Sequence, residues 1–205
     1  MLTKLLMLTA LIGHILCWYC DRRMTFLPGG IFSVKAMQDN DKLSKIFAGM
    51  PLQQAESATL LGIPALLMSF FGLWGISEWM RGYSQTASVI LFVSAVVFVM
   101  VGVVHHVCCG MTEWFYVRLG RTEEARQTVL EFFKRTSVTM IVCYLGLIVY
   151  FVTFFIAVVS GATPLPRIAC LANTILFFIL LTAFRVHNGG NLANAAFFLC
   201  CLILL

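Results

Sequence analysis

Charged residues are scarce in this sequence, because Asp, Glu, Lys and Arg make up only 11% of its 205 residues. A soluble domain of ordinary composition carries about 25% charged residues, so this scarcity argues against a molecule that faces water on all sides. Hydrophobic residues make up 60% of the chain, and the mean hydropathy is +0.94. Such a composition suits a chain that satisfies its backbone hydrogen bonds within hydrocarbon. The lipid bilayer is therefore the first expected partner.

Several motifs of known chemistry are also missing. The sequence has no glycine-rich phosphate loop, no H-E-x-x-H zinc motif and no G-x-S-x-G nucleophile turn. Its four histidines are too few for the histidine-rich boxes of membrane metalloenzymes. The net charge of +5 comes from basic residues between apolar runs, not along one soluble face, so no nucleic-acid partner is expected. The sequence leaves the cofactor unknown.

Six apolar runs predict an all-α, polytopic bundle of about six transmembrane helices in one membrane domain, residues 1–205. The spans lie at about 2–20, 58–79, 86–109, 137–159, 168–184 and 191–205. A spanning helix needs about 20 residues, so the last run is short. We do not interpret the first run as a signal peptide, because it lacks a small-x-small cleavage site and ends in residues that suit a membrane interface.

Two of the connecting loops predict short surface helices. In loop 21–57, the break at Pro28–Gly30 is followed by a polar stretch, Gln38–Lys45, which we interpret as a turn and a short helix. In loop 110–136, Thr122 can cap a helix that has acidic residues in its first turn and basic residues in its last, as the helix dipole prefers. The second prediction has the clearer pattern.

Basic residues predict the orientation of the chain. The first, third and fifth loops hold 11 of the 14 Lys and Arg residues, whereas the opposite side has only Lys4, Arg81 and Arg167. The positive-inside rule then places loops 21–57 and 110–136 in the cytoplasm and both termini outside.

Polar residues within the apolar runs collect near the predicted cytoplasmic side. Polar groups in a bilayer are costly and usually face the bundle interior, so several helix ends are expected to line one pocket there. Our first hypothesis is a binding pocket for a small or lipid-like molecule. Its expected lining residues are His14, Cys17, Asp21, His105, His106, Cys109, Glu113, Asn191 and Asn194.

Helical spacing supports a second hypothesis, a membrane-embedded enzyme. His106, Cys109 and Glu113 fall at i, i+3 and i+7 on one helix face, and Cys109 is also the i+4 neighbour of His105. In this reading His106 is the acid or base, oriented by the carboxylate of Glu113 or Asp21. Cys109 is a nucleophile or, with His106, a candidate metal ligand. The third hypothesis is a structural or regulatory bundle in which these groups form a hydrogen-bonded knot.

The C-x-x-C pair of Cys17 and Cys20 has the spacing of thiol oxidoreductases. It would face a reducing compartment in the predicted topology, and the second thiol pair would have to consist of adjacent cysteines. Zinc held by this pair with His106 and Cys109 has suitable ligand types, but these residues lie on two helices that nothing in the sequence brings together. Both roles are disfavoured.

Three short motifs support a resemblance to a known family. They are Cys17–Asp21 at the end of the first run, Leu165–Arg167 followed by Asn173 before the fifth, and Gly190–Asn194 at the start of the sixth. With these motifs the chain resembles a family of uncharacterised bacterial multi-pass membrane proteins, defined as a domain of unknown function. The resemblance implies a helical bundle in the bacterial inner membrane and supplies no catalytic residues.

Overall fold

The computed structural model describes all residues, 1–205, and confirms the all-α class. Its eight α-helices are α1 Leu2–Thr25, α2 Asn40–Ile46, α3 Leu52–Arg81, α4 Gln85–Arg118, α5 Glu123–Thr136, α6 Val138–Val159, α7 Thr174–Ala183 and α8 Gly189–Leu204. A small antiparallel hairpin pairs β1 Phe26–Leu27 with β2 Gly30–Ile31. Two 3-10 turns, Val34–Gln38 and Arg167–Leu171, complete the regular structure.

Four helical stretches are long and apolar enough to cross a membrane: α1, α3, α4 and the nearly continuous pair α5 and α6. The predicted spans 168–184 and 191–205 correspond to shorter helices, α7 and α8. The fifth run does not form one long helix, because it is interrupted at Asn173, and α7 begins after this residue. The Asn173 side chain accepts a hydrogen bond from the Ile175 backbone and donates one to the Phe151 carbonyl, at 3.0 Å each. The structure therefore has four helices of spanning length against the six predicted.

Small residues bring the long helices into close contact. Gly13 of α1 lies against α3, where an added Cβ would be 2.6 Å from the Ala65 carbonyl oxygen. Gly146 of α6 lies against α4, where an added Cβ would be 2.8 Å from the backbone nitrogen of Phe98. Membrane helices associate by such close backbone packing, because burial of apolar surface gives no driving force in lipid. Helix α3 also packs against α4, so α1, α3, α4 and α6 are successive neighbours.

Helix α8 runs antiparallel to α1 and packs against it. Phe198 stacks on the His14 ring with 5.5 Å between centroids, while Asn191 reaches Asp21 near the end of α1. The first turn of α8 therefore lies beside the last turns of α1. This arrangement gathers the ends of α1, α4 and α7 with the starts of α3, α6 and α8 at one end of the bundle.

A cap covers that end of the bundle; we define it as residues 26–51 together with α5. It packs onto Tyr116, whose hydroxyl donates a 2.7 Å hydrogen bond to the Asn40 side chain. Helix α2 begins after Asp39, close to the predicted Gln38, and Thr122 caps α5 as predicted. The two predicted loop helices are thus confirmed, and both belong to the cap.

Candidate functional site

A cleft of about 900 Å³ lies beside the cap end of the bundle, with α6 on one side and α7 on the other. Helix α7 packs mainly on α8 and hardly contacts α6, which leaves the cleft between them. The deep side of the cleft is polar and comes from α1, α4 and α8. Six of the nine predicted pocket residues line it: Asp21, His105, His106, Cys109, Asn191 and Asn194.

A chain of polar contacts joins four helices, and its members Asp21, His106 and Asn191 line the cleft. The His14 Nδ1 atom lies 2.9 Å from Asn191 Oδ1, and Asn191 Nδ2 donates a 2.8 Å hydrogen bond to Asp21 Oδ2. The other carboxylate oxygen of Asp21 lies 3.7 Å from Nδ1 of His106. His106 Nε2 then lies 3.2 Å from the Ala58 carbonyl oxygen. The chain thus connects α8, α1, α4 and α3.

The partners in this chain determine which ring nitrogens carry hydrogen. A backbone carbonyl can only accept, so His106 must donate from Nε2 to Ala58. Its Nδ1 then faces Asp21, and any proton shared by this pair lies between Nδ1 and Oδ1. Asn191 donates with its nitrogen to Asp21, so its oxygen accepts from His14 Nδ1. The contact predicted between a carboxylate and His106 therefore exists, and its carboxylate is that of Asp21.

A second polar group lies in the same cleft, at the junction of α4 and α6. The Cys109 sulfur lies 3.5 Å from His105 Nε2, and His105 Nδ1 lies 3.0 Å from the Thr139 hydroxyl. Thr139 in turn donates a 2.6 Å hydrogen bond to the Thr136 carbonyl. Cys109 is thus paired with His105, not with His106. Thr139 is not among the predicted pocket residues, because nothing in the sequence aligns α6 with His105.

Three of the predicted pocket residues do not line the cleft. His14 and Cys17 are buried between helices on the far side of Asp21. Glu113 lies beneath the cap, next to Phe47 and Tyr116, and its Oε2 atom has no hydrogen-bond partner. It shares a helical face with His106 by spacing, but it sits about two turns further along α4, where the cap replaces the cleft as its neighbour. Glu113 therefore does not orient His106.

The cleft also contains buried polar atoms that have no partner within the protein. These are the Oδ1 atoms of Asn188 and Asn194 and the Thr174 hydroxyl. Asn194 is among the predicted pocket residues and Thr174 is not, because a hydroxyl at a helix start ordinarily serves as a local cap. Buried polar atoms without partners are rare in native proteins, and these three lie in the wall of the cleft, where a rotation of their side chains would turn them toward a bound molecule.

The structure contains neither a preformed metal site nor a disulfide bond. No group of three or more His, Cys, Asp or Glu side chains is placed to hold a metal ion. All eight cysteines are free, including Cys17 and Cys20. The candidate ligands His106 and Cys109 both line the cleft, but each has a different partner, Asp21 for the first and His105 for the second.

Comparison with known proteins identifies the family of the chain without assigning it a chemistry. No curated protein and no solved structure matches it. A family model described as a family of unknown function, DUF6796, matches residues 1–203, which confirms the resemblance to an uncharacterised family. The chain therefore belongs to that family.

Proposed function

We propose that this member of a family of unknown function is a multi-pass protein of the bacterial inner membrane that binds a lipid-like molecule in the cleft between α6 and α7. The observation that carries the proposal is the cleft itself, which combines a polar deep side with an apolar mouth. Its volume of about 900 Å³ falls within the roughly 300–1,000 Å³ of typical ligand sites. An amphiphilic molecule matches both parts.

The apolar mouth suits an acyl chain. Leu147 and Ile148 of α6 face Ile175 and Phe178 of α7 across the cleft. The side chains of Ile148 and Phe178 are 47% and 45% exposed, although both are large and hydrophobic. In a bilayer such residues contact lipid at no cost, so a chain from the surrounding lipid reaches the cleft without crossing water.

The polar side suits a head group that donates hydrogen bonds. The unpaired oxygens of Asn188, Asn194 and Thr174 are buried acceptors. A bound hydroxyl-bearing head group supplies the missing donors and removes the cost of leaving these atoms unpaired, which is about 1–3 kcal/mol per group. A monoacylglycerol is the simplest lipid with this chemistry and serves as the probe.

Photo-crosslinking tests the binding proposal. The purified protein in lipid nanodiscs is irradiated with a monoacylglycerol that carries a diazirine in its acyl chain, and labelled peptides are mapped by mass spectrometry. We expect the strongest labelling on the cleft-facing parts of α6 and α7, and competition by unlabelled monoacylglycerol. Labelling spread evenly over all lipid-facing helices, without competition, would overturn the proposal.

A matched pair of glycine variants makes the test specific. Gly190 lines the cleft, and an added Cβ there meets no atom within 4 Å. Gly190→Trp is therefore expected to fill the cleft and reduce labelling of α6 and α7 several-fold. Gly82 lies between α3 and α4 at the opposite end of the bundle, where the nearest atom is 3.7 Å away. Gly82→Trp should leave the labelling unchanged.

The proposed topology has six crossings. Four are the long helices, the fifth is the 3-10 turn Arg167–Leu171 with α7, and the sixth is α8. Asn173 contacts Phe151 within α6, whereas Asn188 contacts Thr25 at the cap end, with 3.0 Å between the side-chain atoms. Asn173 and Asn188 therefore lie at different depths along the bundle, which supports a crossing by α7. The positive-inside rule then puts the cap in the cytoplasm and both termini outside.

Reporter fusions test this topology. A fluorescent protein fused after Gly120 or after His187 is expected to be cytoplasmic, and alkaline phosphatase fused after Gly161 to be active outside. A second fusion after His187, with alkaline phosphatase in place of the fluorescent protein, tests the crossing by α7. Active phosphatase at that position would show that α7 does not cross the membrane.

A membrane-embedded enzyme is the second candidate function. One observation favours it over a purely structural or regulatory bundle: a thiol, Cys109, contacts an imidazole, His105, at the surface of a cleft. A hydrogen-bond network with only a structural role needs no access to a cleft.

A further inference from the structure

We propose that Cys109 and His105 form a nucleophile and base pair that takes an acyl group from a lipid-like ester or thioester bound in the cleft. This inference rests on the proposed function, because the acyl group has to reach Cys109 through the cleft. It differs from the expectation from sequence, in which His106 is the base and His105 has no chemical role.

The hydrogen bonds around His105 fix its role as an acceptor toward the thiol. The Thr139 hydroxyl donates its only hydrogen to the Thr136 carbonyl, so it must accept from His105 Nδ1. With its hydrogen on Nδ1, the neutral ring has a lone pair on Nε2. That lone pair faces the Cys109 sulfur at 3.5 Å. A thiol, an imidazole base and a third group that orients the base make up the usual arrangement of an activated nucleophile.

A second thiol in the cleft provides an internal contrast. Cys143 also lines the cleft, but its sulfur lies 3.5 Å from the Phe98 carbonyl oxygen, which cannot take up the thiol proton. Cys108 neighbours Cys109 in sequence, but it does not line the cleft. Cys109 is thus the cysteine that combines access to the cleft with a base.

The reaction is a simple acyl exchange. His105 Nε2 accepts the Cys109 proton while the sulfur attacks the carbonyl carbon of the bound ester or thioester, and a carbon–sulfur bond forms. The bond from that carbon to the leaving oxygen or sulfur then breaks, and the leaving group takes the proton from Nε2. The products are an acyl thioester on Cys109 and a free alcohol or thiol. No oxidation or reduction occurs, and the atoms balance without a metal.

Acyl labelling tests the inference. The protein in nanodiscs is incubated with an alkyne-bearing palmitoyl thioester of coenzyme A or, in a second arm, with vesicles of phosphatidylglycerol that carries an alkyne in its acyl chains. We expect a label on the Cys109 peptide that neutral hydroxylamine removes, as it does thioesters. The arm that gives the label identifies the leaving group as a thiol or an alcohol.

Variants separate catalysis from ordinary thiol reactivity. Cys109→Ser should abolish the hydroxylamine-sensitive label, and Cys108→Ser, which changes a thiol outside the cleft lining, should retain it. General base catalysis contributes about 10²–10⁴-fold, so His105→Gln should slow labelling by about 100-fold. An equal rate in His105→Gln, or equal labelling of Cys108 and Cys143, would overturn the inference. Thermal unfolding of each variant, measured in parallel, identifies any that fail to fold.

Thr139 is a positioning residue in this proposal, and its variants test the assigned proton position. Thr139→Val removes the acceptor for His105 Nδ1 and should slow labelling, whereas Thr139→Ser keeps the hydroxyl and should restore the rate. A structural role alone would not distinguish these two variants by rate at equal stability. Equal rates in both would remove Thr139 from the proposal.

The photo-crosslinking experiment separates failure of this inference from failure of lipid binding. If the monoacylglycerol probe labels the cleft but no acyl thioester forms on Cys109 in either arm, the pair is not a nucleophile and base, and the binding function stands. If the probe does not label the cleft, the proposed function fails first.

Discussion

The His106 ring occupies the space that a side chain on Gly62 would need. A Cβ built on Gly62 would lie 1.9 Å from His106 Nε2, the atom that bonds to the Ala58 carbonyl one turn earlier in α3. The glycine thus lets an imidazole from α4 lie directly against the backbone of α3. The position of His106, and through it the contact with Asp21, depends on the absence of that one side chain.

Gly62→Ala is therefore expected to destabilise the protein and to displace His106. The added methyl group overlaps a ring that packing holds in place, and overpacking of this kind typically costs about 1–3 kcal/mol. A lower thermal unfolding temperature in detergent measures the loss of stability. Gly190→Ala is the control, because its added Cβ meets nothing within 4 Å. Equal unfolding temperatures for both variants would mean that His106 does not occupy this space.

Asp21 joins two separate partners, so its substitutions should rank in a defined order. Asp21→Ala leaves Asn191 Nδ2 without an acceptor and His106 Nδ1 without its neighbour, and an unpaired buried group costs about 1–3 kcal/mol. Asp21→Asn keeps the shape, accepts from Asn191 with its oxygen and donates to His106 with its nitrogen. The asparagine variant should unfold at a temperature closer to that of the wild type.

Equal unfolding temperatures for Asp21→Asn and Asp21→Ala would contradict this explanation, since both variants lack the negative charge and only asparagine keeps the hydrogen-bonding groups. Asp39, which caps α2 at the protein surface, provides the control. Loss of a helix cap typically costs about 1 kcal/mol. Asp39→Ala should therefore lower the unfolding temperature. It should leave the nuclear magnetic resonance signals of the Asn191 and His106 side chains unchanged.

The sequence predicts the parts of this fold that follow from local pattern. Apolar runs predict the four long helices, and a cap residue with acidic and basic ends predicts α5, which begins after Thr122. The break in the fifth run was not predicted, because it depends on Asn173 reaching the carbonyl of Phe151 in another helix. A contact of that kind has no signature in one sequence.

In the candidate site, too, the sequence predicts relationships within one helix but not those between helices. Helical spacing correctly relates His105 to Cys109, because both lie on one helix four residues apart. It cannot decide whether His106 meets Asp21 or Glu113, since that depends on how α1 packs against α4 and on where the cap begins. The structure gives Asp21 as the neighbour of His106, and places Glu113 under the cap.

Tyr116 connects the cap to α4, so its hydroxyl should matter for stability. It donates a 2.7 Å hydrogen bond to Asn40, and its ring is fully packed against Phe47. Tyr116→Phe keeps the ring and removes this bond together with a longer 3.4 Å contact from the hydroxyl to the Arg121 carbonyl oxygen, at a cost of about 1 kcal/mol. Thermal unfolding measures the loss. Tyr144→Phe is the control, because the Tyr144 side chain is 49% exposed and makes no hydrogen bond within the protein; equal effects would contradict the bond.

Arg126 ties α5 to the rest of the cap. Its Nη1 atom donates a 2.8 Å hydrogen bond to the Met37 carbonyl, while the remaining guanidinium nitrogens pair with Glu123. Arg126→Ala removes a hydrogen bond from a charged donor, which is worth about 1.5–3 kcal/mol. Regions of low stability open locally without global unfolding, so the loss should appear mainly in the cap.

Hydrogen exchange measures this local effect. In Arg126→Ala, amides of residues 37–47 should exchange at least about tenfold faster, since 1.4 kcal/mol of lost stability corresponds to that factor. Amides in the middle of α3 and α4 should change little. Arg135→Ala is the matched control, because Arg135 pairs with Glu131 at the surface with its side chain 77% exposed, and such pairs contribute little. Faster exchange of residues 37–47 in the Arg135 variant as well would show that the cap responds to charge on α5 in general, and not to the bond between Arg126 and Met37.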